Sequence, residues 1–92
     1  MSLARFAKKR DSNESVIVEA LRKAGADVWL LDRPVDLLVG YNERLYGFEV
    51  KTENGRLTDQ QETDLATCRR RNYPVFVVRS PEDALQAIGA RH

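Results

Sequence analysis

The sequence contains a single cysteine, Cys68, and a single histidine, His92. One thiol cannot close an internal disulfide, so a reducing compartment, the cytoplasm, is the expected location. Cys68 and His92 are also too few for a zinc site or for a Cys/His or Ser/His nucleophile pair. Any hydrolytic chemistry must therefore rest on carboxylates and lysines. No apolar run approaches the ~18 residues that a membrane span needs, and the first residues lack the apolar stretch of a secretory signal. Repeats and low-complexity segments are missing too. With 92 residues, 42% of them hydrophobic and 32% charged, the chain has material for one domain and one core.

Net charge is scarce as well, since fifteen Lys and Arg face fourteen Asp and Glu. The placement is uneven, however. Arg5, Lys8, Lys9 and Arg10 stand in the first ten residues without an acid among them, and Arg69, Arg70 and Arg71 are contiguous. Each cluster is either solvated surface or a set of phosphate contacts. Residues 1–12 read as a basic arm and residues 13–92 as a single domain.

Within that domain, Val16, Ile17, Ala20, Leu21 and Ala24 recur at helical spacing, and Gly25 supplies a stop. Residues 27–31, 35–41 and 44–51 read as strands, the last two joined as a hairpin around Asn42 and Glu43. Residues 58–71 read as a helix opened by a capping box of Thr58 and Gln61. Residues 74–78 form a nearly all-apolar strand, expected to be covered on both faces. A last helix begins with Ser80 as cap and Pro81 at its first position. This order predicts an α/β fold: a mixed sheet flanked by helices, with three antiparallel strands and a fourth parallel to the third.

A hairpin centred on Asn42 and Glu43 sets Val35 against Val50, Leu37 against Phe48 and Val39 against Tyr46, forming one apolar face. On the other face Leu38 meets Gly47, Gly40 meets Leu45, and Asp36 meets Glu49 with Lys51 on the same side. Opposed carboxylates repel and need a compensating charge. Lys51 can supply it in a structural Asp–Lys–Glu cluster. A divalent cation held by oxygen ligands is the other reading, and Gly47 would leave room for a ligand there. Glu14 shares a helix side with Ile17, Val18 and Leu21. It is either a helix-start carboxylate in an Asp11–Glu14 capping box or a third acid of the same site. Gln61 is likewise either the capping partner of Thr58 or a site residue, on a stripe with Leu65 and Cys68. Glu19 lies with Arg22 and Lys23 on the opposite, solvated side.

The run VDLLVGYNERLYGFEVK over residues 35–51, followed by GRLTDQQ over residues 55–61, resembles the PD-(D/E)XK nuclease superfamily. More narrowly it is similar to the small stand-alone VRR-NUC domains of phages and their Holliday-junction-resolvase-like relatives. The shared pattern is an acid on one strand, Glu-x-Lys on the next, then Gly and a Leu-Ser/Thr-x-x-Gln helix start. The helix from Glu14 to Gly25 and the tail PVFVVRSPEDALQAI fit as well. Family members usually place Pro immediately before the Asp, whereas here Val35 does so and Pro34 is one further back.

The resemblance implies a restriction-endonuclease-like core, αβββαβ plus a C-terminal helix, and a Mg²⁺- or Mn²⁺-dependent deoxyribonuclease. Asp36, Glu49, the backbone carbonyl of Val50 and Glu14 would hold the metal, and Lys51 and Gln61 would act with Asp36 and Glu49 in catalysis. The product would carry a 5′-phosphate and a 3′-hydroxyl. Arg5, Lys8, Lys9, Arg10, Arg69, Arg70 and Arg71 would contact DNA phosphates, and with no obvious major-groove reading helix, branched, junction or flap structure would be recognised rather than sequence. A homodimer or larger homo-oligomer without membrane attachment, in the host cytoplasm if phage-encoded, completes the expectation. The alternative is a non-catalytic nucleic-acid-binding module or structural subunit that retains the nuclease fold.

Overall fold

A computed structural model describes residues 9–90. Arg5, Lys8 and most of the 1–12 arm lie outside the described residues, as does His92. The element order is α1 (Glu14–Lys23), β1 (Asp27–Leu30), β2 (Leu37–Tyr41), β3 (Arg44–Val50), α2 (Asp59–Arg70), β4 (Val75–Val78) and α3 (Pro81–Ala87). This is the expected α/β succession. The strands form one sheet in the order β1-β2-β3-β4, antiparallel from β1 to β3, with β4 parallel to β3 across the α2 crossover. Among the described residues no helix is long and apolar enough to cross a membrane.

Local signals place the ends of the elements. Thr58 accepts a hydrogen bond from the Gln61 backbone N–H, and Gln61 Oε1 accepts one from Thr58 N–H, completing the capping box. Ser80 Oγ caps α3 through the Asp83 N–H. The Asp11–Glu14 box does not form: Asn13 occupies the cap position without a side-chain cap bond, and the Glu14 N–H bonds the Asp11 carbonyl instead. Gly25, at φ +98°, ends α1 in the left-handed conformation, with the Ala26 N–H returned to the Leu21 carbonyl. Asn42 and Glu43 sit at φ 53° and 69°, the signature of a two-residue type I′ hairpin.

The hairpin register is the expected one, from Leu37 opposite Phe48 to Tyr41 opposite Arg44. It breaks at Asp36. The Asp36 N–H donates to the Phe48 carbonyl across β3, whereas its carbonyl accepts from the Leu31 N–H on the other side. In a regular strand both groups of one residue face the same neighbour, so Asp36 is a bulge residue. The extra residue reverses the alternation, and Val35 therefore does not face Val50. Val35 packs with Leu65, Cys68 and Val75 on the α2 side, while Val50 lies with Leu37, Val39 and Phe48 against α1 and α3.

Two other expectations are corrected. The space over Gly47 is filled, because a Cβ there would lie 2.8 Å from the Tyr73 hydroxyl and 3.0 Å from Val35 Cγ2. β4 is an edge strand with Phe76 exposed, so it is not covered on both faces.

Candidate functional site

Three acids are buried at one end of this fold: Glu14 at 6% exposure, Asp36 at 6% and Glu49 at 2%. Ionised carboxylates are almost never buried unless paired or ligated, so each has to be accounted for. Glu14 opens α1, and Asn13 anchors that helix end. Asn13 Nδ2 donates to the Lys51 carbonyl at 3.1 Å and the Arg79 carbonyl at 3.0 Å, joining α1 to the ends of β3 and β4. Asn13 Oδ1 is buried without a hydrogen-bond partner. This anchoring role went unread in the sequence, where only the position before a helix marks Asn13.

Asp36 is aimed by its bulge. Its Oδ2 accepts the Val50 N–H at 2.8 Å, so a carboxylate stands where a strand carbonyl would otherwise pair. Arg10 links Asp36 to Glu14. Its Nη1 is 3.2 Å from Glu14 Oε1 and 3.9 Å from Asp36 Oδ1, and it also reaches the Asp36 carbonyl at 3.4 Å. Its Nη2 donates to the Leu31 carbonyl at 2.9 Å. Expected on DNA phosphates, Arg10 has protein acceptors in this structure.

Glu49 projects to the α2 side, alternating with Phe48 and Val50. There it lines a cavity of about 220 Å³ with Asp32, Arg33, Pro34, Thr58, Gln60, Gln61 and Asp64. Gln61 caps α2 through its side-chain oxygen and also lines the cavity that holds Glu49. A fork of Arg33 on Asp64, at 3.1 and 3.0 Å, ties the loop before Asp36 to α2 along the rim of that cavity. The guanidinium holds the Asp64 carboxyl below the usual carboxylate range. Lys51 follows Glu49 by two residues, and its Cδ lies 3.5 Å from where a Gly55 Cβ would stand. Arg79 secures that turn by donating to the Thr52 and Gly55 carbonyls, both at 2.8 Å.

Arg10 thus joins Asp36 to Glu14, and Glu49 lines a cavity with Gln61. Among the described residues no cluster of three or more Asp, Glu, His or Cys side chains is close enough to hold an ion together. The remaining expected residues lie elsewhere. Lys9 is exposed just ahead of Arg10, and Arg69, Arg70 and Arg71 are exposed at the far end of α2, about 14 Å along the axis from Gln61.

The VRR-NUC domain family matches residues 36–82, from Asp36 to the start of α3. The chain belongs to that family. VRR-NUC domains form a nuclease family within the PD-(D/E)XK superfamily, and the four-stranded mixed sheet with three helices is compatible with its restriction-endonuclease-like core. The matched VRR-NUC stretch contains Asp36, Glu49, Lys51 and Gln61, while Arg10, Asn13 and Glu14 precede it. No curated protein and no solved structure matches the chain.

Proposed function

We infer that this VRR-NUC domain is a divalent-metal-dependent endonuclease that cuts DNA phosphodiester bonds, selecting branched, junction or flap structure rather than sequence. The observation that carries the reading is the burial of Glu14, Asp36 and Glu49 around the end of β3, just before Lys51.

The donor set suits the ion. Carboxylate and carbonyl oxygens are hard ligands, and Mg²⁺ is commonly held by one or two carboxylates, with water and substrate phosphate completing its shell. A full three-acid cage is therefore not required. A cation already lies between Glu14 and Asp36 in the form of the Arg10 guanidinium, which supports that place as one where positive charge is stable. Asp36, Glu49 and the Val50 carbonyl would hold Mg²⁺ or Mn²⁺, with Glu14 joining directly or through water. When bound, such a cation polarises a phosphate oxygen and makes water more acidic.

The chain's own groups do the rest. Lys51 orients the attacking water or takes its proton, and offsets negative charge building on the phosphate. Gln61 positions the substrate or Lys51 beside Glu49. Water adds to phosphorus, the P–O3′ bond breaks, and the 3′ oxygen leaves with a proton, giving a 5′-phosphate and a 3′-hydroxyl. Lys9 and Arg69 to Arg71, with the basic residues of the arm, bind backbone phosphates without reading bases, so affinity falls steeply with salt. Cutting both strands of a duplex needs two sites and each chain brings one, so a homo-oligomer is part of the proposal.

The test incubates the protein with branched, flapped and linear DNA, and with an RNA flap, in Mg²⁺, Mn²⁺ or EDTA. Cleavage is expected only with metal and only of the branched or flapped DNA. Asp36→Asn and Lys51→Ala should each lower it by about 10²-fold or more, the scale of removing one transition-state contact. Glu14→Gln should lower it and Glu19→Gln should not. Binding without cutting under every metal condition would instead establish a nucleic-acid-binding module that keeps the fold.

A further inference from the structure

Arg10, grouped above with the phosphate-binding arm, touches two of the three buried acids instead. Its guanidinium lies between Glu14 and Asp36, yet the fit is uneven. The 2.9 Å bond to the Leu31 carbonyl and the 3.2 Å contact with Glu14 are close, whereas Asp36 Oδ1 at 3.9 Å is beyond hydrogen-bond distance. Its positive charge lies against two carboxylates that water barely reaches. The arginine stands before α1, outside any helix or strand, and its side chain keeps 26% of its surface exposed. Beside it runs an open groove of about 540 Å³ along α1, lined by Arg10, Asp11, Glu14, Glu19 and Arg22 among others. The groove is open space beside Arg10, with the Glu19 carboxylate also on its lining.

We propose that Arg10 is a tethered cation that occupies the Glu14–Asp36 pair in the metal-free chain and competes with the divalent ion for it. This rests on the metal-dependent reading above. A divalent ion brings twice the charge in a smaller volume and can leave part of its shell to water, so it prevails at sufficient concentration and releases the arginine. The consequence is a raised threshold for metal. The acids stay neutralised and ordered without the ion, and the ion has to displace an internal competitor before it binds.

The experiment titrates the full chain with Mn²⁺ alone, following the electron paramagnetic resonance signal of the free ion, in wild type, Arg10→Ala, Arg10→Gln and Arg10→Lys. Arg10→Gln keeps a donor for the Leu31 carbonyl while removing the charge, so it reports even where Arg10→Ala fails to fold; circular dichroism checks both. Competition predicts that the apparent Mn²⁺ Kd drops by about tenfold in the neutral variants, from removal of a unit charge within ~4 Å of the ligands, and little in Arg10→Lys. A variant that binds Mn²⁺ where wild type does not would support the proposal in its strongest form. Folded neutral variants that bind Mn²⁺ as well as wild type, or more weakly, would overturn it and leave the metal-dependent reading standing. Failure of wild type and every variant to bind Mn²⁺ would overturn both.

Discussion

The two faces of the sheet are built to different standards. On the α1 and α3 side, Ile17, Leu21, Leu37, Val39, Phe48 and Val78 form one continuous apolar core with exposures of 0 or 1%. On the other side, α2 covers only the β3–β4 half. Val35, Leu65, Cys68 and Val75 make a small cluster there, beside which sits the polar cavity with Glu49. Away from α2 that face is open, with Trp29 of β1 51% and Leu45, near the hairpin end of β3, 54% exposed. The α1 and α3 face thus supplies most of the apolar burial, while the α2 face carries the polar cavity. The carboxylates sit at the strand ends, where the dry core gives way to the cavity.

The largest test of this contrast is truncation on each face. Phe48→Ala should cost about 3–5 kcal/mol, the usual loss for a fully buried aromatic. That is a large share of the ~5–15 kcal/mol that holds a domain together. Leu45→Ala, on the same strand but on the open face, should change stability by no more than ~0.5 kcal/mol. Urea unfolding followed by circular dichroism measures both. Comparable losses would mean that the open half is covered in solution, as by a second copy of the chain.

The contrast was only partly legible in the sequence. Short-range signals carried through: Thr58 with Gln61, Ser80 with Asp83, and Gly25 after α1 each act within a few residues, where local chemistry decides the outcome. The hairpin register held because Leu37, Val39, Tyr46 and Phe48 can all face the core in only one pairing. It failed at Asp36. The bulge depends on the carboxylate capturing the Val50 N–H and on the Leu31 N–H taking the Asp36 carbonyl, and two-residue periodicity encodes neither. The same limit explains Gly47. A missing side chain looks like room for a ligand until Tyr73, returned toward the sheet by the end of α2, fills it. Arg10 was unreadable as a partner of Glu14 and Asp36 because nothing in a cluster of basic residues distinguishes the one that turns inward.

That close approach gives the next test, smaller than the Phe48 truncation. Gly47→Ala would put a methyl group 2.8 Å from the Tyr73 hydroxyl and 2.9 Å from Cζ, and overpacking of this kind costs about 1–3 kcal/mol. The double variant with Tyr73→Ala should lose much less than the sum of the two single changes, since the clash leaves with the ring. Additive losses in a thermodynamic cycle would show that Tyr73 does not rest on Gly47, and that the α2 side is looser than its geometry implies.

The smallest expected effect separates the faces by chemistry rather than packing. Burial pushes the Cys68 thiol above its ordinary 9.0, helped by the charge of Asp64 and partly opposed by Arg69. Burial also raises the Tyr73 phenol above 10.0, with a contribution from Cys68. Both groups belong to the α2 side. A folded-state pKa above the unfolded one means that the unfolded chain gives up its proton first as pH rises. The stabilisation is therefore complete below about pH 8 and is lost as pH climbs through 9 and 10 toward the raised folded values. Urea midpoints taken from pH 7 to 11 should stay level with respect to these groups and then decline. Cys68→Ala with Tyr73→Phe should remove part of that decline while leaving the neutral-pH circular dichroism spectrum unchanged. An alkaline decline of the same steepness in the double variant would assign it to other groups, and Cys68 and Tyr73 would no longer account for the loss.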